Sequence, residues 1–122
     1  MRLWLSVISL LLPLQVLADG PRIQLLVQSS PLAGFRYGEG IMLWPLLQPG
    51  DALELVHESG NPHDVNAVRV DWRGRKLGYV PRRQNAAIAW GLERGTLLRA
   101  RVSRLVEHPN PARRIEFEIY IE

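Results

Sequence analysis

The chain of 122 residues contains no cysteine. That absence removes disulfides, thiolate metal ligands and a cysteine nucleophile together, so stability has to come from packing. Net charge is also small: the formal value is +3, and removing Arg2 would lower it by one. Overall charge therefore does not announce a nucleic-acid partner. No internal repeat, low-complexity tract or second-domain linker interrupts the sequence. Gly-x-Ser-x-Gly and phosphate-cradling glycine loops are missing, and Ser29, Ser30, Ser59 and Ser103 have no histidine at a telling spacing. His57, Glu58 and His63 are metal-ligand types, yet Gly60 and Pro62 between them forbid the helix that a zinc-protease motif requires. Composition and motifs thus give no catalytic centre, no metal site and no cofactor.

A long apolar run is missing as well. The run from Leu3 to Leu14 follows Arg2, contains Pro13, and is shorter than the roughly 20 residues of a membrane-spanning helix. It leads to Val16-Leu17-Ala18 before Asp19, the three-part pattern of a secretory leader. Residues 1–18 are expected to be a signal peptide cleaved after Ala18, which would export the protein to the periplasm or beyond and leave no membrane span. An uncleaved N-terminal anchor is the alternative. A buried helix is disfavoured because Leu3, Trp4, Leu5, Val7 and Ile8 would be apolar all round. Residues 19–122, about one hundred, match one small domain and a single core, and a monomer is the expectation.

Several segments read as short strands. Arg22 to Gln28 is apolar-rich and runs into Ser29-Ser30-Pro31, which reads as a turn. After the Pro49-Gly50-Asp51 turn, Leu53 and Leu55 alternate with Glu54. Across Asn66 to Trp72, Val68, Val70 and Trp72 oppose Ala67, Arg69 and Asp71. Gly74 marks a hairpin turn into Lys76–Val80. Pro81 suits the start of a short helix in which Ile88, Ala89 and Leu92 form a stripe ended by Gly95. Leu97–Val106 and Arg114–Glu122 complete the set, joined by Pro109-Asn110-Pro111. The last is the clearest alternation, with Ile115, Phe117, Ile119 and Ile121 opposite Glu116, Glu118 and Tyr120. About six strands with one or two short helices define a mostly β fold, either a small barrel or strongly curved sheet, or an open α+β sheet. Trp44, Trp72 and Trp90 read as core or edge packing, since nothing in their spacing groups them. Arginines concentrate at 69–83 and 94–114, which suggests a positive face.

One segment is more specific than the rest. Asn61-Pro62-His63-Asp64-Val65-Asn66-Ala67-Val68 is followed by Lys76-Leu77-Gly78-Tyr79-Val80-Pro81-Arg82. Together with Leu32 to Tyr37 and Gly50 to Glu58, this pattern resembles the HIRAN domain. The domain is known as a separate bacterial protein and as the N-terminal part of helicase-like transcription factors. The resemblance implies a modified OB-like β-barrel that holds the 3′ end of single-stranded DNA in its eukaryotic relatives. It implies that Arg36 contacts phosphate, that Tyr37 stacks on a base, that Asn61 reads a base edge, and that Asp64 accepts the hydrogen bond of a free 3′ hydroxyl while repelling a terminal phosphate. His63 stands in place of a stacking aromatic, Tyr79 in place of a phosphate-contacting histidine, and Arg83 near a lysine of the same role. Any ATP hydrolysis in the family belongs to motor domains that these motifs do not include.

Two further readings bear on these residues. Asn61, Asp64 and Asn66 are also the residue types that cap backbone amides in a tight loop, and Arg36 and Tyr37 could flank a glycine bulge on the surface. The leader suggests a different class of function, an exported interaction domain that uses the same groove for a protein, glycan or other anionic ligand. A second stacking aromatic is not found between Leu105 and Pro111, where only His108 is available.

Overall fold

The alternation at the end of the chain builds the middle of the fold. A computed structural model of the protein describes residues 23–37 and 39–122, the side chain of Arg36 excepted. The expected leader lies outside the described residues. Six strands form one antiparallel sheet: β1 (Leu25–Pro31), β2 (Ala52–His57), β3 (Val68–Trp72), β4 (Arg75–Tyr79), β5 (Leu98–Leu105) and β6 (Ile115–Ile121), in the order β1-β6-β5-β2-β3-β4. The helices are α1 (Gly40–Leu43) and α2 (Ala86–Glu93). Ile115, Phe117 and Ile119 of β6 are buried, as are Val68, Val70 and Trp72 of β3. Burying each such side chain contributes about 1.5–3 kcal/mol. Leu32, Phe35, Leu77 and Ile88 join them in one core.

Irregularities in register bend the sheet. They fall between Leu26 and Gln28, between Val70 and Asp71, and between Val102 and Arg104, and such bulges increase local twist. The ladder does not close into a barrel. Instead the chain just past β1 reaches β4 through one bridge, in which Ala33 N donates to Tyr79 O (2.9 Å) and Tyr79 N donates to Ala33 O (2.8 Å). Gly78 permits that approach, because a Cβ there would collide with the Ala33 carbonyl oxygen. The glycine of Gly-Tyr-Val-Pro is thus explained by the joining of two sheet edges. The β3–β4 hairpin turns on Arg73 and Gly74, both at positive φ (49° and 78°), which matches the twist of the flanking strands. The result is a small OB-like β fold.

Two expectations need correction. Ser29-Ser30-Pro31 is not a turn: these residues continue β1 opposite Glu118, Phe117 and Glu116. Ser30 is buried and its hydroxyl donates to Gln84 Oε1 (2.8 Å), while Pro31 is tolerated at the end of an edge strand. Trp90 does not pack into the core. It is 62 % exposed on α2, with the Arg94 guanidinium 4.0 Å above its ring. Trp72 is buried, and Trp44 is half-buried in an edge-to-face contact with Phe35 (6.3 Å).

Candidate functional site

The loop from Asn61 to Asn66 joins β2 to β3 and is shaped by its own side chains. Asn61 Oδ1 accepts from the backbone N–H of His63 (2.8 Å) and of Asp64 (3.2 Å). Asp64 Oδ1 accepts from Asn66 N (2.9 Å), and Ala67 N donates to Asp64 O (3.0 Å). These are the short-range bonds by which Asx residues stabilise turns. The capping role weighed for Asn61 and Asp64 is therefore real, and it fixes where both side chains stand.

The bonds of the loop are tied to the rest of the fold from two sides. Asn85 is buried immediately before α2, yet its side chain does not cap that helix. Its Nδ2 donates to Asp64 Oδ2 (2.8 Å). Arg82 donates from Nη2 to His63 O (2.8 Å), and its Nε lies 3.7 Å from Asp64 Oδ2. On the other side Glu58 collects Tyr79 Oη (2.8 Å), Asn61 Nδ2 (3.1 Å) and Arg69 Nη1 (3.0 Å). Arg69 also holds Asp71 through two bonds of 2.8 and 3.0 Å.

The two carboxylates are both held in the ionised form. The backbone N–H of Asn66 lowers the Asp64 carboxyl below its ordinary value, helped by the Asn85 amide; a smaller upward push from burial opposes them, and the charge of Arg82 adds the least. For Glu58, burial pushes upward, but hydrogen bonds from Tyr79, Asn61 and Arg69 together with the Arg69 charge outweigh it, and the net shift is downward.

A hollow of about 330 Å³ opens over this arrangement, lined by Ala33, Gly34, Asn61, His63, Asp64, Ala67, Tyr79, Val80, Arg82 and Asn85. Four of the seven residues predicted from sequence, Asn61, His63, Asp64 and Tyr79, thus share one cavity. Tyr37 is 75 % exposed and lines an adjoining hollow with Gly34, Phe35, Asn110 and Ala112. The backbone of Arg36 lies in the same short 3-10 turn as Tyr37, and its side chain is outside the described residues. Arg83 is exposed and lines neither hollow. Its neighbour Arg82 does so instead, because the 3-10 turn at Arg82–Gln84 presents the two arginines in different directions.

Sequence reasoning left out Arg82, Asn85 and Glu58. Nothing in the local sequence pointed to Asn85, whose partner Asp64 lies 21 residues away. Glu58 stood out in the sequence only as a metal-ligand type beside His57. Its partners at positions 61, 69 and 79 come from three other segments.

Chemically, the hollow offers a fixed carboxylate with lone pairs still open, a cation 3.7 Å away, the imidazole of His63 and an apolar floor. The amide of Asn61 and the hydroxyl of Tyr79 are already engaged inside the protein. The Lys76 ammonium sits 4.7 Å from the Tyr79 ring centre, so a positive charge accompanies a tyrosine that has none. Among the described residues, no group of three His, Asp or Glu side chains is placed to hold a metal ion, and no helix is long and apolar enough to cross a membrane.

Fold and hollow together define a small OB-like β domain with a pocket beside its bridged sheet edges, apolar in its lining and carrying one fixed carboxylate. The HIRAN domain model matches residues 25–122, and the chain belongs to that family. A solved protein from Lactobacillus plantarum is 29 % identical, with a TM-score of 0.69 over 80 % of this chain and 94 % of its own. The HIRAN domain of human HLTF is 18 % identical, with a TM-score of 0.58 over 80 % of this chain and 75 % of its own, a likeness of fold. No curated protein matches the chain.

Proposed function

We propose that this HIRAN protein is a non-catalytic module that binds single-stranded nucleic acid as a monomer and holds a free 3′ hydroxyl end at Asp64. The observation that carries the reading is the state of that carboxylate. It is ionised, oriented by Asn66 N and Asn85 Nδ2, and faces a hollow wide enough for a terminal nucleoside. A carboxylate accepts a hydrogen bond from a hydroxyl and repels a phosphate, which selects one kind of end over the other. His63 is the stacking surface for the terminal base, Tyr37 the platform for the next, and Arg36 and Arg82 the cations for the intervening phosphates. Asn61 and Tyr79 shape the pocket, with Arg83 at its outer rim.

The test is a comparison of a linear oligothymidylate with a covalently closed circle of the same length, by competition against a labelled linear strand. A linear strand that competes at least tenfold better supports end capture. Equal competition by the circle sinks it.

The leader supports a second reading, in which an exported domain uses the same hollow for a protein or other anionic ligand. The engagement of Asn61 and Tyr79 within the fold also favours it, since neither is then needed for base recognition. Export itself is part of the proposal: the mature protein is expected to begin at Asp19, and intact mass measurement distinguishes that product from an uncleaved chain.

A further inference from the structure

The arginine clusters of the sequence are mostly neutralised by the fold. Arg69, Arg75, Arg99 and Arg101 pair with Glu58 and Asp71, Glu39, Glu122 and Glu118. Arg82 lies beside Asp64. Arg73, Lys76, Arg94 and Arg114 lie over the rings of Trp72, Tyr79, Trp90 and Trp44. Among the described residues, only the side chains of Arg83, Arg104 and Arg113 have neither an acidic partner nor a ring beneath them. Two of these three line the same hollow. Arg104 and Arg113, with Arg114, line a cavity of about 340 Å³ whose one acidic residue, Glu116, stands opposite Arg104 in the β5–β6 register without an ion pair to it.

That cavity is linked to the pocket at Asp64 through shared lining residues. The Asp64 hollow shares Gly34 with the hollow beside Tyr37, and the latter shares Ala112 with the arginine hollow. The Arg114 guanidinium is turned inward, donating from Nε to His108 O (2.7 Å), so it braces the loop. Arg104 on β5 and Arg113 beside β6 remain as exposed cations at the far end of the track. Planar guanidinium groups bind phosphate oxygens in pairs, which suits a polyanionic backbone better than a single-point contact.

Building on the end-capture reading, we propose that Arg104 and Arg113 form a second phosphate subsite, which tracks the backbone of the bound strand on the 5′ side of the held end. The strand runs from Asp64 past Tyr37 and Asn110 to the two arginines. The binding site then spans about four nucleotides or more, at the lower end of what OB folds cover, rather than the terminal one or two.

The test is fluorescence anisotropy of the protein with 5′-labelled thymidylates of two, four and eight nucleotides across a salt series, repeated with Arg104→Gln/Arg113→Gln. The octamer is expected to bind at least tenfold more tightly than the dimer. The double variant should lose about tenfold on the octamer and about 1.4 from its log–log salt slope, two phosphates at roughly 0.7 each. Dimer binding and thermal melting should stay unchanged, and Arg104→Lys/Arg113→Lys should restore most of the octamer affinity. Equal affinity for dimer and octamer, or an undiminished salt slope in the variant, overturns the subsite while leaving end capture standing. A 3′-phosphorylated octamer that binds as well as the hydroxyl form, with the arginine effect intact, sinks end capture and keeps the subsite. No binding by any thymidylate at low salt overturns both.

Discussion

The pocket at Asp64 and the arginine hollow beside β6 are linked by a third hollow that shares Gly34 with one and Ala112 with the other, yet they are built in opposite ways. Around Asp64 nearly every polar atom is already bonded within the fold, through Asn61, Asn85, Glu58 and Arg82. At the other end Arg104 and Arg113 are exposed and form no ion pair among the described residues, although Arg104 stands opposite Glu116 in the β5–β6 register. Groups fixed in advance discriminate between ligands because they do not rearrange to suit the wrong one. Free cations supply attraction that any phosphate can use and that salt screens. Under the proposed function, the difference gives selectivity to one region and affinity to the other.

The bridge between Ala33 and Tyr79, both of which line the Asp64 pocket, underlies that site, so the largest effect should come from breaking it. Gly78→Ala directs a methyl group at the Ala33 carbonyl and should cost about 2–3 kcal/mol in urea denaturation, through overpacking and two weakened hydrogen bonds. An unchanged midpoint would mean that the bridge is dispensable. Next comes Glu58→Gln, which keeps an acceptor for Tyr79 and Asn61 but removes the charge that Arg69 pairs with. A loss of about 1–2 kcal/mol is expected by the same measurement.

A smaller and more selective effect is expected from Asn85→Ala. It deprives Asp64 Oδ2 of its donor and should weaken binding of a hydroxyl end by about tenfold, equivalent to about 1.4 kcal/mol, without changing the salt slope. It should also alter the pH profile. In the folded protein the Asp64 carboxyl lies below its ordinary value, so its contribution to stability is complete above the unfolded value and is lost as pH falls through the lowered folded one. Hydroxyl-end binding is therefore expected to be flat from neutral pH down through the ordinary carboxylate range and to fall only below it. In Asn85→Ala the fall should begin at higher pH. The smallest effect belongs to Arg83→Ala, expected within twofold of wild type, whereas Arg82→Ala, which frees the carbonyl of His63, should weaken binding several-fold. Reversal of that order would restore Arg83 to the pocket.

What could be read in the sequence was local. The β6 alternation at Ile115, Phe117 and Ile119 located a strand and its buried face because a period of two follows from strand geometry alone. The Asn61–Asn66 segment carried its turn chemistry in its residue types, so its place in the pocket was legible along with the family. Features that depend on distant partners were not. Ser29-Ser30-Pro31 has the composition of a turn, and only pairing with Glu118, Phe117 and Glu116 makes it strand. Arg75 meets Glu39 across 36 positions, which is why arginines that cluster in sequence do not produce the uniformly positive face they suggested. The choice between Arg82 and Arg83 depended on the phase of one turn, and the partner of Asn85 lay 21 residues away.

The central claim is that a fixed, ionised Asp64 selects a free hydroxyl end. Its most direct test is the ratio of affinities for the same octathymidylate ending in a 3′ hydroxyl or a 3′ phosphate, measured for wild type and for Asp64→Asn. We predict at least a tenfold preference for the hydroxyl in wild type and a preference near one in the variant, with phosphate-end binding strengthened by removal of the negative charge. A wild-type ratio near one, or a preference that survives Asp64→Asn, would contradict the account.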